Sequence, residues 1–154
     1  MPEPDEMEEH IREHIRNAHI YTVTDANSLV PVLFEVATGI QRVQSEMESL
    51  KEQIDDLEAV RGPQISDPAC PDREEYVRYV REFEAKRREF GALFARLEGV
   101  GAELKDPQSG LLDFYAKRAN GETVYLCWKL GEERIRFWHP LRGGFAGRRP
   151  IEEL

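Results

Sequence analysis

Asp113, Glu132 and His139 put two carboxylates and one imidazole into one stretch of chain. Such a set suits a divalent metal or acid–base work. The competing reading is structural, with His139 at a strand end, hydrogen-bonded to backbone or to Asp113. Just beyond, "WHPLRGGFAGRRP" sets Arg142, Arg148 and Arg149 around a Gly-rich turn. Gly lets backbone N–H groups approach an anion and Arg offers paired donors, so one reading is a phosphate or carboxylate clamp. The other is a basic tail that pairs with acidic helices. No Lys-Ser/Thr follows, so the turn matches no phosphate-loop fingerprint.

"HIREH", His10 to His14, fits the H-x-x-E-H pattern of inverted zinc proteases. A helix would place His10 and His14 on one face. The segment is polar and lacks a third ligand, so incidental surface metal binding is the most it supports. Trp128 and Trp138 read as core or interface filling, on opposite faces of a sheet. Cys127 reads as a buried small hydrophobe rather than a nucleophile, with His139 facing away from it. Cys70 and Cys127 form no C-x-x-C pair, so neither a disulfide nor a zinc knuckle is indicated.

The elements that position these residues begin after an acidic lead-in, residues 1–19, where Met7, Ile11 and Ile15 suggest a short helix. "IYTV" at 20–23 is β-like, and Thr24 or Asp25 then caps a helix start. Leu29, Leu33, Val36, Ile40, Val43, Met47, Leu50, Ile54 and Leu57 alternate steps of four and three, a heptad seam. It predicts a helix over about 25–60, loosened early by Pro31 and stopped by Gly62-Pro63. Asp72 and Glu75 form a capping-box pattern for a second helix over about 72–98. Its seam is Tyr76, Val80, Phe83, Phe90, Phe94 and Leu97, with Arg87 interrupting. Together these predict a coiled-coil-like antiparallel hairpin.

The period then changes to two. Asn120-Gly121 signals a two-residue type I′ turn between strands, and Glu132-Glu133 a second turn. This predicts a meander over 111–139, followed by a Gly/Arg tail, 140–154. In that register Tyr115 lies opposite Leu126 and Asp113 opposite Trp128. Val124, Leu126, Trp128, Leu130, Ile135 and Phe137 then share the helix-facing side with Asp113, Tyr115 and His139. Phe114, Tyr125, Cys127, Arg136 and Trp138 take the other face, which also needs a cover such as the tail or a partner subunit. His139 and Asp113 then sit too far apart for a direct hydrogen bond, at a separation that suits a bridging ion or water.

The chain has 154 residues and a formal net charge of -9, which argues against a general nucleic-acid binder. Five Arg and no acid fall between Arg134 and Arg149, so the local field there differs. No signal peptide or membrane span is predicted, which makes the cytoplasm the default compartment.

"YTVTDAN", "LKDPQSGLLDF", "VYLCWKLGE" and "WHPLRGGFAGRRP" together resemble the bacterial family known as domain of unknown function 2203, over about residues 20–151. The resemblance implies no established activity. Residues that match its pattern are Asp106, Gly110, Asp113, Cys127, Trp128, Gly131, Glu132, Trp138, His139, Gly144, Phe145, Gly147 and Arg148. The family usually has Glu after Trp-His, where this chain has Pro140. It tends to have Pro after Asp-Phe, where this chain has Tyr115.

The expected architecture is one α+β domain over 20–154, a helical hairpin packed on a three- to four-stranded antiparallel meander. The expected function is that of a small cytoplasmic interaction or scaffold protein. It self-associates as a homodimer, with room for a further protein partner. The alternative is a metal- or anion-binding protein, or an enzyme, whose site is Asp113, Glu132, His139 and the C-terminal Arg residues, with a divalent metal as cofactor.

Overall fold

The computed structural model describes residues 9, 12–14 and 18–154. His10, Met7, Ile11 and Ile15 lie outside the described residues. The chain divides into two compact units, one of Met1–Glu35 with Leu97–Leu154 and one of Val36–Arg96.

Helix α1, Val23–Ser28, starts where Thr22 Oγ1 accepts the Asp25 N–H at 3.1 Å. Thr22 is therefore the cap, rather than Thr24 or Asp25. "IYTV" adds no strand. Tyr21 N–H donates to the Tyr115 carbonyl at 2.7 Å, and the chain then turns into α1. Helix α2, Val30–Arg61, follows after a break at Leu29. Pro31 falls in its first turn, where a missing N–H costs nothing, so the expected loosening takes the form of a helix boundary. Gly62, at φ +54, and Pro63 end α2. Helix α3 is Arg73–Gly99, and the Asp72 carbonyl accepts its early N–H from Tyr76 at 2.9 Å.

Within the unit 36–96, α2 and α3 run antiparallel. Arg42 meets Glu89 at 2.7 Å, Lys86 meets Glu46 at 2.7 Å, Tyr76 OH meets Glu58 at 2.8 Å and Arg61 meets Asp72 at 2.6 Å. A side chain at Gly39 would touch Leu93 at 3.2 Å, so that glycine admits Leu93 into the seam. The α3 seam is the expected one at Tyr76, Val80, Phe83, Phe90 and Leu97, but Phe94 is exposed and Leu93, beside Gly39, is covered in its place.

The other unit holds five antiparallel strands in chain order: β1 Glu103–Asp106, β2 Leu111–Lys117, β3 Thr123–Lys129, β4 Phe137–Pro140 and β5 Arg149–Pro150. The meander is thus longer than expected by a strand at each end. "ELKD" is too polar to read as a strand, and β5 is only two residues long. Among the described residues no helix is long and apolar enough to cross a membrane.

The register differs by one residue on each side of β3. Lys117 pairs with Thr123, Tyr115 with Tyr125 and Asp113 with Cys127. The loop is not a two-residue type I′ turn, because only Gly121, and not Asn120, has positive φ. Gly121 N–H donates to the Arg118 carbonyl, and Arg118 N–H to the Glu122 carbonyl. That is the three-residue loop in which a type I turn precedes a left-handed Gly. The β3–β4 link is also longer than two residues, and Tyr125 pairs with His139. One side of the sheet therefore carries Leu112, Phe114, Ala116, Val124, Leu126, Trp128 and Trp138, all buried. Both Trp share this face, contrary to the sequence expectation.

Two glycines separate strain from crowding. At Gly110, φ +67, an added Cβ would lie 2.6 Å from Leu130 Cβ, while at Gly121, φ +87, it would meet nothing within 4 Å. Gly121→Ala should cost about 1 kcal/mol, the strain of a left-handed L-residue. Gly110→Ala should cost about 2–4 kcal/mol, because backbone must also shift. Urea unfolding of both variants checks the ordering, and equal losses would contradict the Leu130 contact.

Candidate functional site

A strand alternates its side chains, so the same register sets Asp113, Tyr115, Tyr125, Cys127, Phe137 and His139 on the second side of the sheet. Glu103 joins them as the cross-strand partner of Asp113. Asp113, Tyr115 and His139 were expected beside Leu126 and Trp128. They lie instead beside Tyr125 and Cys127. They stay together because the two one-residue slips, at β2 and at β4, cancel.

Asp113 and His139 are each only 2% exposed, among fully buried neighbours. His139 Nε2 lies 3.0 Å from Asp113 Oδ2, a direct hydrogen bond across β3 where the sequence reading expected a gap. The two side chains lean over the intervening strand and close that distance. His139 Nδ1 lies 2.7 Å from the Pro140 carbonyl. A carbonyl only accepts, so Nδ1 carries the proton and Nε2 is the atom turned toward Asp113. Burial pulls the His139 imidazole below its usual range, but the bonds to Asp113 and Pro140 outweigh it and leave the pKa raised.

Cys127 completes the group. One ligand atom from each of Asp113, Cys127 and His139 lies within 4.8 Å of the others. Burial first, and then the charge of Asp113, push the Cys127 thiol up to about 12. Asp113 Oδ1 accepts no hydrogen bond, although it is buried.

A polar network continues from this group along the sheet. Tyr125 OH bonds Tyr115 OH at 3.1 Å and Glu103 Oε2 at 3.0 Å, and the two rings stack with centroids 4.8 Å apart. Lys105 Nζ reaches Glu103 at 2.7 Å and lies 4.7 Å from the Tyr125 ring centre. Burial opposes ionisation of Glu103, but Lys105 and Tyr125 hold its pKa below the usual value. Burial and the Tyr115 contact raise the Tyr125 pKa.

Glu132 does not join the Asp113–His139 pair. Its carboxylate accepts the Lys129 N–H at 2.9 Å and both of its oxygens meet Arg148, at 2.6 and 2.8 Å. Arg148 lies 4.1 Å from the Phe137 ring centre and 4.9 Å from that of Phe145, and it donates to the Cys127 carbonyl at 3.3 Å. The tail thus covers part of the second face, as the sequence suggested, with Arg148 partnered by Glu132 rather than by an acidic helix. Arg149 pairs across strands with Trp138 and lies over its ring. Arg142 has polar or electrostatic partners of its own. His14 is largely exposed, with Nε2 3.7 Å from Glu103.

Tyr125 and Cys127 are the residues that the sequence reading placed on the other face, and Glu103 is one that it did not place. The signal for the first two was the loop: a type I turn over Arg118–Gly121, rather than a type I′ turn, moves Tyr125 and Cys127 to the side of Asp113. The family described as an uncharacterized conserved protein (DUF2203) matches residues 19–151, which take in the whole sheet. No curated protein and no solved structure matches the chain.

Removing one partner of a buried hydrogen-bonded pair leaves the other uncompensated. Asp113→Ala should therefore destabilise the protein by about 3–5 kcal/mol. Loss of the exposed Lys105 charge in Lys105→Met should cost under about 1 kcal/mol. Chemical denaturation tests both, and a small loss for Asp113→Ala would mean that His139 has other support. Buried Cys127 and half-buried Cys70 should also differ in access. In the metal-free native protein a thiol reagent should modify Cys70 alone, and Cys127 only after denaturation, as read by mass spectrometry.

Proposed function

The chain belongs to the DUF2203 family of uncharacterized conserved proteins, and we propose that it works as a small interaction protein that pairs with a second copy through α2 and α3. The observation that carries this reading is the state of the helical seam. Val36, Ala37, Ile40 and Val43 are buried, but Met47, Leu50, Ile54 and Leu57 are only partly covered, and Val60 is 75% exposed. On α3, Tyr76, Val80, Phe83 and Phe90 are likewise partly covered, and Phe94 is 37% exposed. Two helices alone cannot close an apolar stripe on all sides. A second pair completes a four-helix bundle, the usual way to cover such seams.

Charge favours a second copy of this chain as the occupant. Residues 48–58 on α2 hold five acids and one Lys, while residues 78–88 on α3 hold five bases and two acids. The two stretches already lie side by side within one chain, between the Lys86–Glu46 and Tyr76–Glu58 contacts, and a two-fold arrangement with the α2 of each copy facing the α3 of the other repeats that pairing between copies. The interaction then brings two sheets, with their buried polar faces, into one assembly.

Light scattering at micromolar concentration should report twice the chain mass of 17.8 kDa. Val60→Asp should shift the population toward monomer while leaving monomer stability nearly unchanged, because Val60 is already exposed. A wild-type protein that stays at the single-chain mass across this range contradicts the reading.

A further inference from the structure

We infer that Asp113, Cys127 and His139 form the binding site of one divalent transition-metal ion of zinc-like softness. The three side chains offer a carboxylate oxygen, a sulfur and an imidazole nitrogen, all buried and within 4.8 Å of one another. That is a donor set for zinc and its neighbours. It is a poor one for calcium or magnesium, which need a shell of oxygens.

Two further observations point to an ion rather than to packing alone. Asp113 Oδ1 is buried without a hydrogen bond, and an unpaired buried carboxylate oxygen is costly. A cation beside it removes that cost. The second is how the imidazole is held. The Pro140 carbonyl accepts the hydrogen bond from Nδ1–H, so Nε2 is the nitrogen directed at Asp113, and it becomes a ligand once the proton between them leaves. An outer hydrogen bond of this kind fixes the tautomer of metal-bound His.

The frame is rigid. Asp113 and Cys127 are direct cross-strand partners on β2 and β3, and His139 is next to them on β4. Ligand atoms around tetrahedral zinc lie about 3.3–3.7 Å apart, so the group must close by about 1 Å through side-chain rotation. The ion replaces the proton shared by His139 and Asp113, and the thiol proton leaves when sulfur binds. Three protein ligands leave a fourth position for water or another small ligand. Glu132 does not supply it, since Arg148 occupies both of its oxygens.

The test uses the full, untagged chain stripped of metal by a chelator. Because the site is buried, Co2+ is offered both to native protein and during refolding. One Co2+ per chain should bind, with a thiolate-to-cobalt charge-transfer band, and Zn2+ should displace it. The chain has two Cys, so in Cys70→Ser the band can come only from Cys127 and should persist. His139→Ala and Cys127→Ala should each weaken binding by more than the ~10–100-fold that loss of an outer partner costs. Co2+ held by exposed His residues would give no such band. The inference is overturned by absence of stoichiometric binding under both conditions, by loss of the band in Cys70→Ser, or by unchanged affinity in a folded His139→Ala variant.

Discussion

Side chains on a strand alternate in direction, so the pairing of β3 with its neighbours decides which residues are buried together. Here Leu126 pairs with Phe114 and Trp138, while Tyr125 pairs with Tyr115 and His139. The first row is apolar throughout. The second collects almost every buried group in this unit that can hold or exchange a proton. A shift of β3 by a single residue would mix the two rows and leave Asp113 and His139 among aromatic and aliphatic neighbours. The Ala119-Asn120-Gly121 loop and the longer β3–β4 connection fix that register from the two ends.

The second row is an unusual thing to bury. A carboxylate, an imidazole and a thiol are each costly to remove from water unless they satisfy one another. Most of their atoms do: His139 is bonded at both nitrogens, Tyr125 links Tyr115 to Glu103, and Lys105 neutralises Glu103. Arg148 seals one border, held in place by Glu132 and by the rings of Phe137 and Phe145. The Arg is a bond of the fold here, since its charge is already matched. The Gly residues of the tail let the chain bend back so that Arg148 can reach across β4.

Much of this architecture is legible in the sequence because long patterns carry it. The four-three spacing of α2 survives over many turns, and Gly62-Pro63 marks its end with little ambiguity. The family resemblance, drawn from the sheet and tail motifs, agrees with the match to residues 19–151. What the sequence obscures depends on single residues. Asn-Gly fits both a type I′ turn and a type I turn followed by a left-handed Gly, and the two differ by one residue of register. "ELKD" and "RP" lack the apolar alternation of a strand, because β1 and β5 are held by their neighbours rather than by their own burial. That Asp113 and His139 share a face came through both errors, since parity along β2 and β4 is unaffected when both shift together; their direct contact did not. Cys127 did not, because it lies on the strand between them.

His139 gets its orientation from the carbonyl of residue 140 and not from that residue's side chain. The resembled family usually has Glu where this chain has Pro140, a change that removes a charge and an N–H. Neither is what holds the imidazole. Any of the twenty amino acids brings the same carbonyl to that position, provided the strand keeps its course. The ring of His139 is therefore held by backbone at position 140, where Pro140 keeps its carbonyl while giving up its N–H.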